Sequence, residues 1–140
     1  MIREIEFRGK RISDDQWIYG YLSESNEISN INEETMPREE VDEDSVGQWT
    51  GLYDCNNKKI YEGDVVECVS WNEYFTNHST GQVMEPFRRK LYVAFVNGSF
   101  KLIEPMPFPM TDNRWDIIYN GDVKIIGNLV DNPELINKQS

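Results

Sequence analysis

A chain of 140 residues, 39% hydrophobic and 12% aromatic, suits a single domain with a modest core and is too apolar to stay disordered. No apolar run approaches the ~20 residues a membrane-spanning helix needs, and Arg3, Glu4 and Glu6 interrupt the apolar stretch that a signal peptide requires. A cytoplasmic protein is expected, with Cys55 and Cys68 as reduced thiols and Cys68 the more buried of the two. The formal net charge is −11, and it is uneven: residues 24–44 carry nine acidic side chains against Arg38, while the rest is near neutral. Such a segment repels a duplex and argues against a simple phosphate-tracking DNA binder.

Ile2–Phe7 reads as a first strand and Trp17–Leu22 as a second, joined by a polar turn around Ser13, Asp14 and Asp15. Residues 1–22 are thus expected as an N-terminal β-hairpin. In residues 23–45 Ser, Asn and Glu predominate, and Pro37 precludes a long helix, so an acidic variable connector with little local structure is expected. Residues 46–69 alternate apolar residues with turn formers. Asn56 and Asn57 separate two short runs, Leu52–Asp54 and Lys59–Tyr61, as a hairpin turn would. Gly63 and Asp64 mark a second turn, from which Val65–Trp71 leaves as a strand.

Residues 72–90 form an insertion with the aromatic pair Tyr74 and Phe75 and the basic triplet Arg88, Arg89 and Lys90. Leu91–Val96 and Ser99–Ile103 then flank Asn97-Gly98, a pair that suits the two positive φ values of a type I′ turn. A two-residue loop sets Phe95 opposite Phe100 and Val93 opposite Leu102, on what is expected to be a core face. Pro105, Pro107 and Pro109 impose an extended connector. Trp115–Tyr119 and Asp122–Asn128 repeat the hairpin pattern about Asn120-Gly121, and Asn132-Pro133-Glu134 opens a helix of two turns at most.

The central stretch also carries a resemblance. Gly47-Gln48-Trp49-Thr50-Gly51-Leu52, then Asp54, Lys58 and Ile60-Tyr61-Glu62-Gly63-Asp64-Val65-Val66, resembles the YopX-type proteins of bacteriophages and prophages. So do Phe7-Arg8-Gly9-Lys10 with Trp17, Tyr19 and Gly20, and Ile126-Gly127-Asn128 followed by Asp131-Asn132-Pro133-Glu134-Leu135. Trp49 stands where that family usually has tyrosine and Asn57 where it usually has glycine. Asn tolerates positive φ best among the other residues, so the turn should survive. The resemblance implies a mainly all-β chain in a phage protein of a family of uncharacterised activity, acting in the host cytoplasm. Its body, residues 46–140, would be a small SH3-like β-barrel with the insertion at 72–90 and a short C-terminal helix. It brings no catalytic residues.

The candidate sites are sparse. The sequence has no Gly-rich phosphate loop, no Gly-x-Ser-x-Gly elbow and no Cys-x-x-Cys, and His78 reads as a solvated loop histidine. Cys55, Cys68 and His78 are one ligand short of a structural zinc site. Asp54, Glu62, Asp64 and Glu67 could together face a magnesium ion, although turn chemistry accounts for Asp54 and Asp64 without one. Arg88, Arg89 and Lys90 with Tyr74, Phe75 and Tyr92 could hold a single strand of nucleic acid by charge and stacking; equally, the triplet could guard an apolar strand or pair with the acidic connector. Asn57, Gly63, Asp64, Asn97, Gly98, Asn120 and Gly121 read as structural turn positions.

Together these observations favour a non-enzymatic protein–protein interaction module without cofactor or metal. It would form homo-oligomers or bind an unidentified phage or host protein, with aromatic side chains supplying the contact area. The alternatives are a single-strand nucleic-acid-binding accessory protein and an acidic decoy of a host DNA-binding protein.

Overall fold

The computed structural model describes residues 5–70, 87–103, 114–116 and 123–136. Eleven strands among these residues form two antiparallel sheets. The first contains β1 (Phe7–Lys10), β2 (Trp17–Glu24), β3 (Glu27–Asn30), β4 (Arg38–Glu40), β5 (Gly47–Tyr53) and β6 (Lys59–Tyr61), in the order β4-β3-β2-β1-β5-β6. The second contains β7 (Asp64–Ser70), β8 (Phe87–Val96), β9 (Ser99–Ile103), β10 (Arg114–Asp116) and β11 (Val123–Asn128), in the order β10-β9-β8-β7-β11. The chain is therefore mainly β, but the described strands do not close into the SH3-like barrel expected from the sequence.

The chain passes from one sheet to the other at Glu62-Gly63. Gly63 takes φ +93°, its amide donates to the Val93 carbonyl, and its own carbonyl accepts from Leu129. Gly47 faces this crossover, where an added Cβ would lie 2.3 Å from the Glu62 carbonyl oxygen. The first sheet runs straight across residues 45/46, because β1 pairs with β5 through Phe7↔Gln48 and Arg8↔Gly47.

Residues 23–45 differ most from expectation. Where a loop with little structure was anticipated, they complete β2 and supply β3, β4 and a 3-10 turn at Glu43–Ser45. Ile28 and Val41 are fully buried and pack with Ile18, against Phe7 and Val46. The backbone is paired as well: Val41 donates to Asn26, Asp42 to Lys10, and Ile12 to Glu40. The acidic residues mostly take outward positions, and the three charged residues of β4 form the last strand of the sheet, a composition that discourages further strand addition.

The second core holds Ile60, Val66, Leu91, Val93, Leu102 and Val123. In β8–β9, Phe95 lies opposite Phe100 and Val93 opposite Leu102. Asn97 and Gly98 take φ +51° and +84°. The core face stops short of the hairpin tip, however, because Phe95 is exposed.

Three further expectations are corrected. The first described strand runs from Phe7 to Lys10 rather than ending at Phe7: residues 5 and 6 lie outside any strand, and residues 1–4 are outside the described residues. β10 and β11 do not form a hairpin with each other. β10 pairs with β9 and β11 with β7, at opposite edges of the sheet, and the expected turn at residues 120–121 lies outside the described residues. The C-terminal helix is a single 3-10 turn, Pro133–Leu135. Asn132 does not cap it, since its side-chain oxygen accepts from the Asn128 amide instead.

Candidate functional site

Where the two sheets meet, β1, β2, β6, β7 and β11 enclose a cleft of about 470 Å3. Arg8 of β1 dominates its wall. The side chains of Arg8 and Asp64 are only 9% and 2% exposed, and Arg8 Nη2 lies 2.7 Å from Asp64 Oδ1. The guanidinium carbon sits 4.7 Å from the Trp17 ring centre and 4.9 Å from that of Tyr61, so the cation is held between two aromatic faces. Arg8 Nε is buried without a hydrogen-bond partner among the described residues.

A second ionic group lies beside the first. Buried Glu6 accepts from Lys59 Nζ at 2.9 Å and from the Tyr61 hydroxyl. Lys59 Nζ also stands 4.5 Å over the Trp49 ring. Burial, and then the bond to Glu6, pushes the Tyr61 hydroxyl far above its ordinary range. Burial likewise raises the Tyr19 hydroxyl, against the opposing charge of Arg8. Burial also raises the Asp64 carboxyl, although Arg8 and the Tyr61 amide, 2.8 Å from Asp64 Oδ2, oppose the shift.

Asp54 has a different role. Its Oδ1 accepts from the Asn56 and Lys58 amides, and its Oδ2 accepts from the Ile125 amide, which ties the β5–β6 turn to β11. Burial alone would raise its carboxyl, but these three donors outweigh it and hold the pKa below the ordinary value. Asp54 and Asp64 thus already have protein partners. Among the described residues no group of three or more His, Cys, Asp or Glu is placed to hold a metal ion.

A second concavity, about 710 Å3, lies between β5 and the tip of the β8–β9 hairpin. It exists because β5 bulges: Trp49 pairs with Tyr61 and Tyr53 with Lys59, leaving the residues between them out of register. The Trp49 indole donates to the Leu52 carbonyl and stabilises that bulge. Trp49, Leu52, Phe95 and Phe100 line the groove, and Phe95 meets Phe100 edge to face at 5.1 Å. Phe95 is 53% exposed. An added Cβ at Gly51 or Gly98 would meet nothing within 4 Å, so the backbone is bare on both sides of the groove.

Of the residues singled out as an interaction surface, Arg88, Arg89, Lys90 and Tyr92 share β8. Arg88 and Arg89 lie in β8 opposite Val69 and Cys68, with their side chains outside the described residues. Lys90 is exposed opposite Glu67, and Tyr92 is half-buried opposite Val65 and Ile103. Tyr74, Phe75, His78, Asn120 and Gly121 are outside the described residues. Asn57 takes φ +63° at the β5–β6 turn.

Sequence reasoning missed the Arg8–Asp64 pair and the Glu6–Lys59–Tyr61 group as sites. One available signal was an arginine in a short strand with aromatic residues on the neighbouring strand.

The family model described as YopX protein matches residues 6–137, and the chain belongs to that family. Among solved structures, the crystal structure of protein EF1440 from Enterococcus faecalis is similar, with a TM-score of 0.53 and 19% identity. The match covers 96% of this chain and 99% of that one. At that identity the likeness is one of fold. No curated protein matches the chain.

Proposed function

With membership of the YopX family as the premise, we propose that this is a non-enzymatic interaction module of a phage, acting in the host cytoplasm through self-association. The observation that carries this reading is the aromatic groove between the β5 bulge and the hairpin tip. None of its lining residues is charged, although the chain carries −11. Two such chains repel over most of their surface, so an uncharged patch is where a second copy can approach closely. The patch also combines a protruding aromatic, Phe95, with the hollow beside it. A two-fold interface needs such self-complementarity, each copy placing its knob in the other's hollow. Large, nearly rigid aromatic side chains suit this role because they bury area with little loss of rotamer freedom.

Sedimentation velocity over a range of protein concentrations tests the proposal. The wild type should exceed its 16.5 kDa chain mass and dissociate on dilution. Phe95→Asp places a charge in the groove without touching the core, and should sediment as the monomer at every concentration. A wild type that remains monomeric throughout, or a Phe95→Asp variant that associates equally well, would overturn the proposal.

A further inference from the structure

The cleft between the sheets shares no lining residue with the aromatic groove, and its hydrogen-bonding groups are unevenly used. Both carboxylates in its wall are occupied, Asp64 by Arg8 and the Tyr61 amide, Glu6 by Lys59 and the Tyr61 hydroxyl. The donors are not. Among the described residues the Tyr19 hydroxyl and the Lys58 ammonium have no hydrogen-bond partner, and Arg8 Nε is an orphan in the wall. Three cations, Arg8, Lys58 and Lys59, line the cleft with two carboxylates, while the carboxylate nearest Lys58, Asp54, lies outside the lining and is held by three backbone amides. Ile31 and Ile125 add apolar surface beside the free donors. The raised Tyr19 hydroxyl keeps its proton at neutral pH and remains a donor.

A site whose two carboxylates already have partners and whose cationic and hydroxyl donors are spare favours a ligand rich in acceptors and negative charge. About 470 Å3 is within the range of small-molecule sites. We propose that this cleft binds the oxyanion head, phosphate or carboxylate, of a small organic acid. Lys58 and Tyr19 would contact the head directly, and Arg8 would supply fixed positive charge from the wall.

Titration calorimetry on the full chain tests this with three anionic probes: inorganic phosphate, a mixture of 5′-nucleoside monophosphates, and benzoate. Nucleosides and benzamide serve as their uncharged counterparts. At least one anionic probe should bind in the millimolar range or tighter and its uncharged counterpart should not. Comparing phosphate with benzoate identifies the preferred head. Loss of one charge-assisted hydrogen bond weakens binding about tenfold, the change expected for Lys58→Gln and for Tyr19→Phe. Lys58 is exposed and the Tyr19 hydroxyl is unpartnered, so both variants should melt like the wild type by circular dichroism. Lys90→Gln, outside the cleft, should leave binding unchanged. The proposal is overturned if no anionic probe binds, if the uncharged counterparts bind equally well, or if Lys58→Gln and Tyr19→Phe leave the affinity intact.

Discussion

Arg8→Met isolates the charge at the junction of the two sheets. Methionine has similar reach and also packs well on aromatic rings, so contact with Trp17 and Tyr61 is retained in kind while the cation is lost. Asp64, 2% exposed, would keep the Tyr61 amide but lose its counter-ion at 2.7 Å. Breaking one side of a buried pair costs about 3–5 kcal/mol, a large fraction of the roughly 5–15 kcal/mol that stabilises a domain of this kind. The loss should also depend on pH. Burial already raises the Asp64 carboxyl, and Arg8 is the largest influence opposing that rise. Without Arg8 the folded-state pKa climbs further above its unfolded value, so folding takes up a proton. Stability gained in this way is present at low pH and lost as pH rises through the folded value. The deficit relative to wild type should therefore be larger near pH 8 than near pH 5, measured by urea unfolding followed through tryptophan fluorescence. Adding Asp64→Asn to Arg8→Met should flatten this dependence. A deficit under about 1 kcal/mol, the scale of an exposed ion pair, or one equal at both pH values, would refute the reasoning.

Two glycines should respond differently to substitution. Gly98 has φ +84° with open space around a would-be Cβ, so Gly98→Val carries backbone strain alone and should cost about 1–3 kcal/mol in urea unfolding. At Gly20 a Cβ would stand 1.7 Å from the Ser29 carbonyl oxygen of β3, so Gly20→Ala must push β2 and β3 apart and should lower the midpoint further than Gly98→Val. Ile28→Ala should cost about 2–5 kcal/mol despite its place in the most acidic stretch of the chain, because Ile28 is fully buried against Ile18 and Val41. Amide exchange at Asn30 and Val41, whose N–H groups are bonded within the sheet, should be slow; exchange at the rate of a free peptide would contradict the docking of this segment.

Local signals made two hairpins, β8–β9 and β5–β6, legible in advance. Asn97-Gly98 determines both the turn and the pairing of β8 with β9, because a two-residue loop with two positive φ values permits one register. The run from Gly47 to Val66 likewise specified the β5–β6 hairpin and the turn at Gly63, where Asp54, Asn57 and Gly63 act on neighbouring backbone. The same run carried the family resemblance. Membership of the YopX family was therefore available from the residues alone.

What the sequence left undecided depended on partners far along the chain. Residues 23–45 look solvated by composition, yet two apolar side chains and a backbone ladder dock them, and composition does not register which residues of a strand point inward. Asn120-Gly121 suggested a hairpin, but β10 and β11 took the open edges of β9 and β7, and edge availability is a property of the assembled sheet. The cleft is the clearest case. Arg8 and Asp64 are 56 positions apart and each looks like an ordinary surface or turn residue. Only the crossing of the two sheets brings the pair together in a desolvated space, with Arg8 between Trp17 and Tyr61, where a single charge can decide stability.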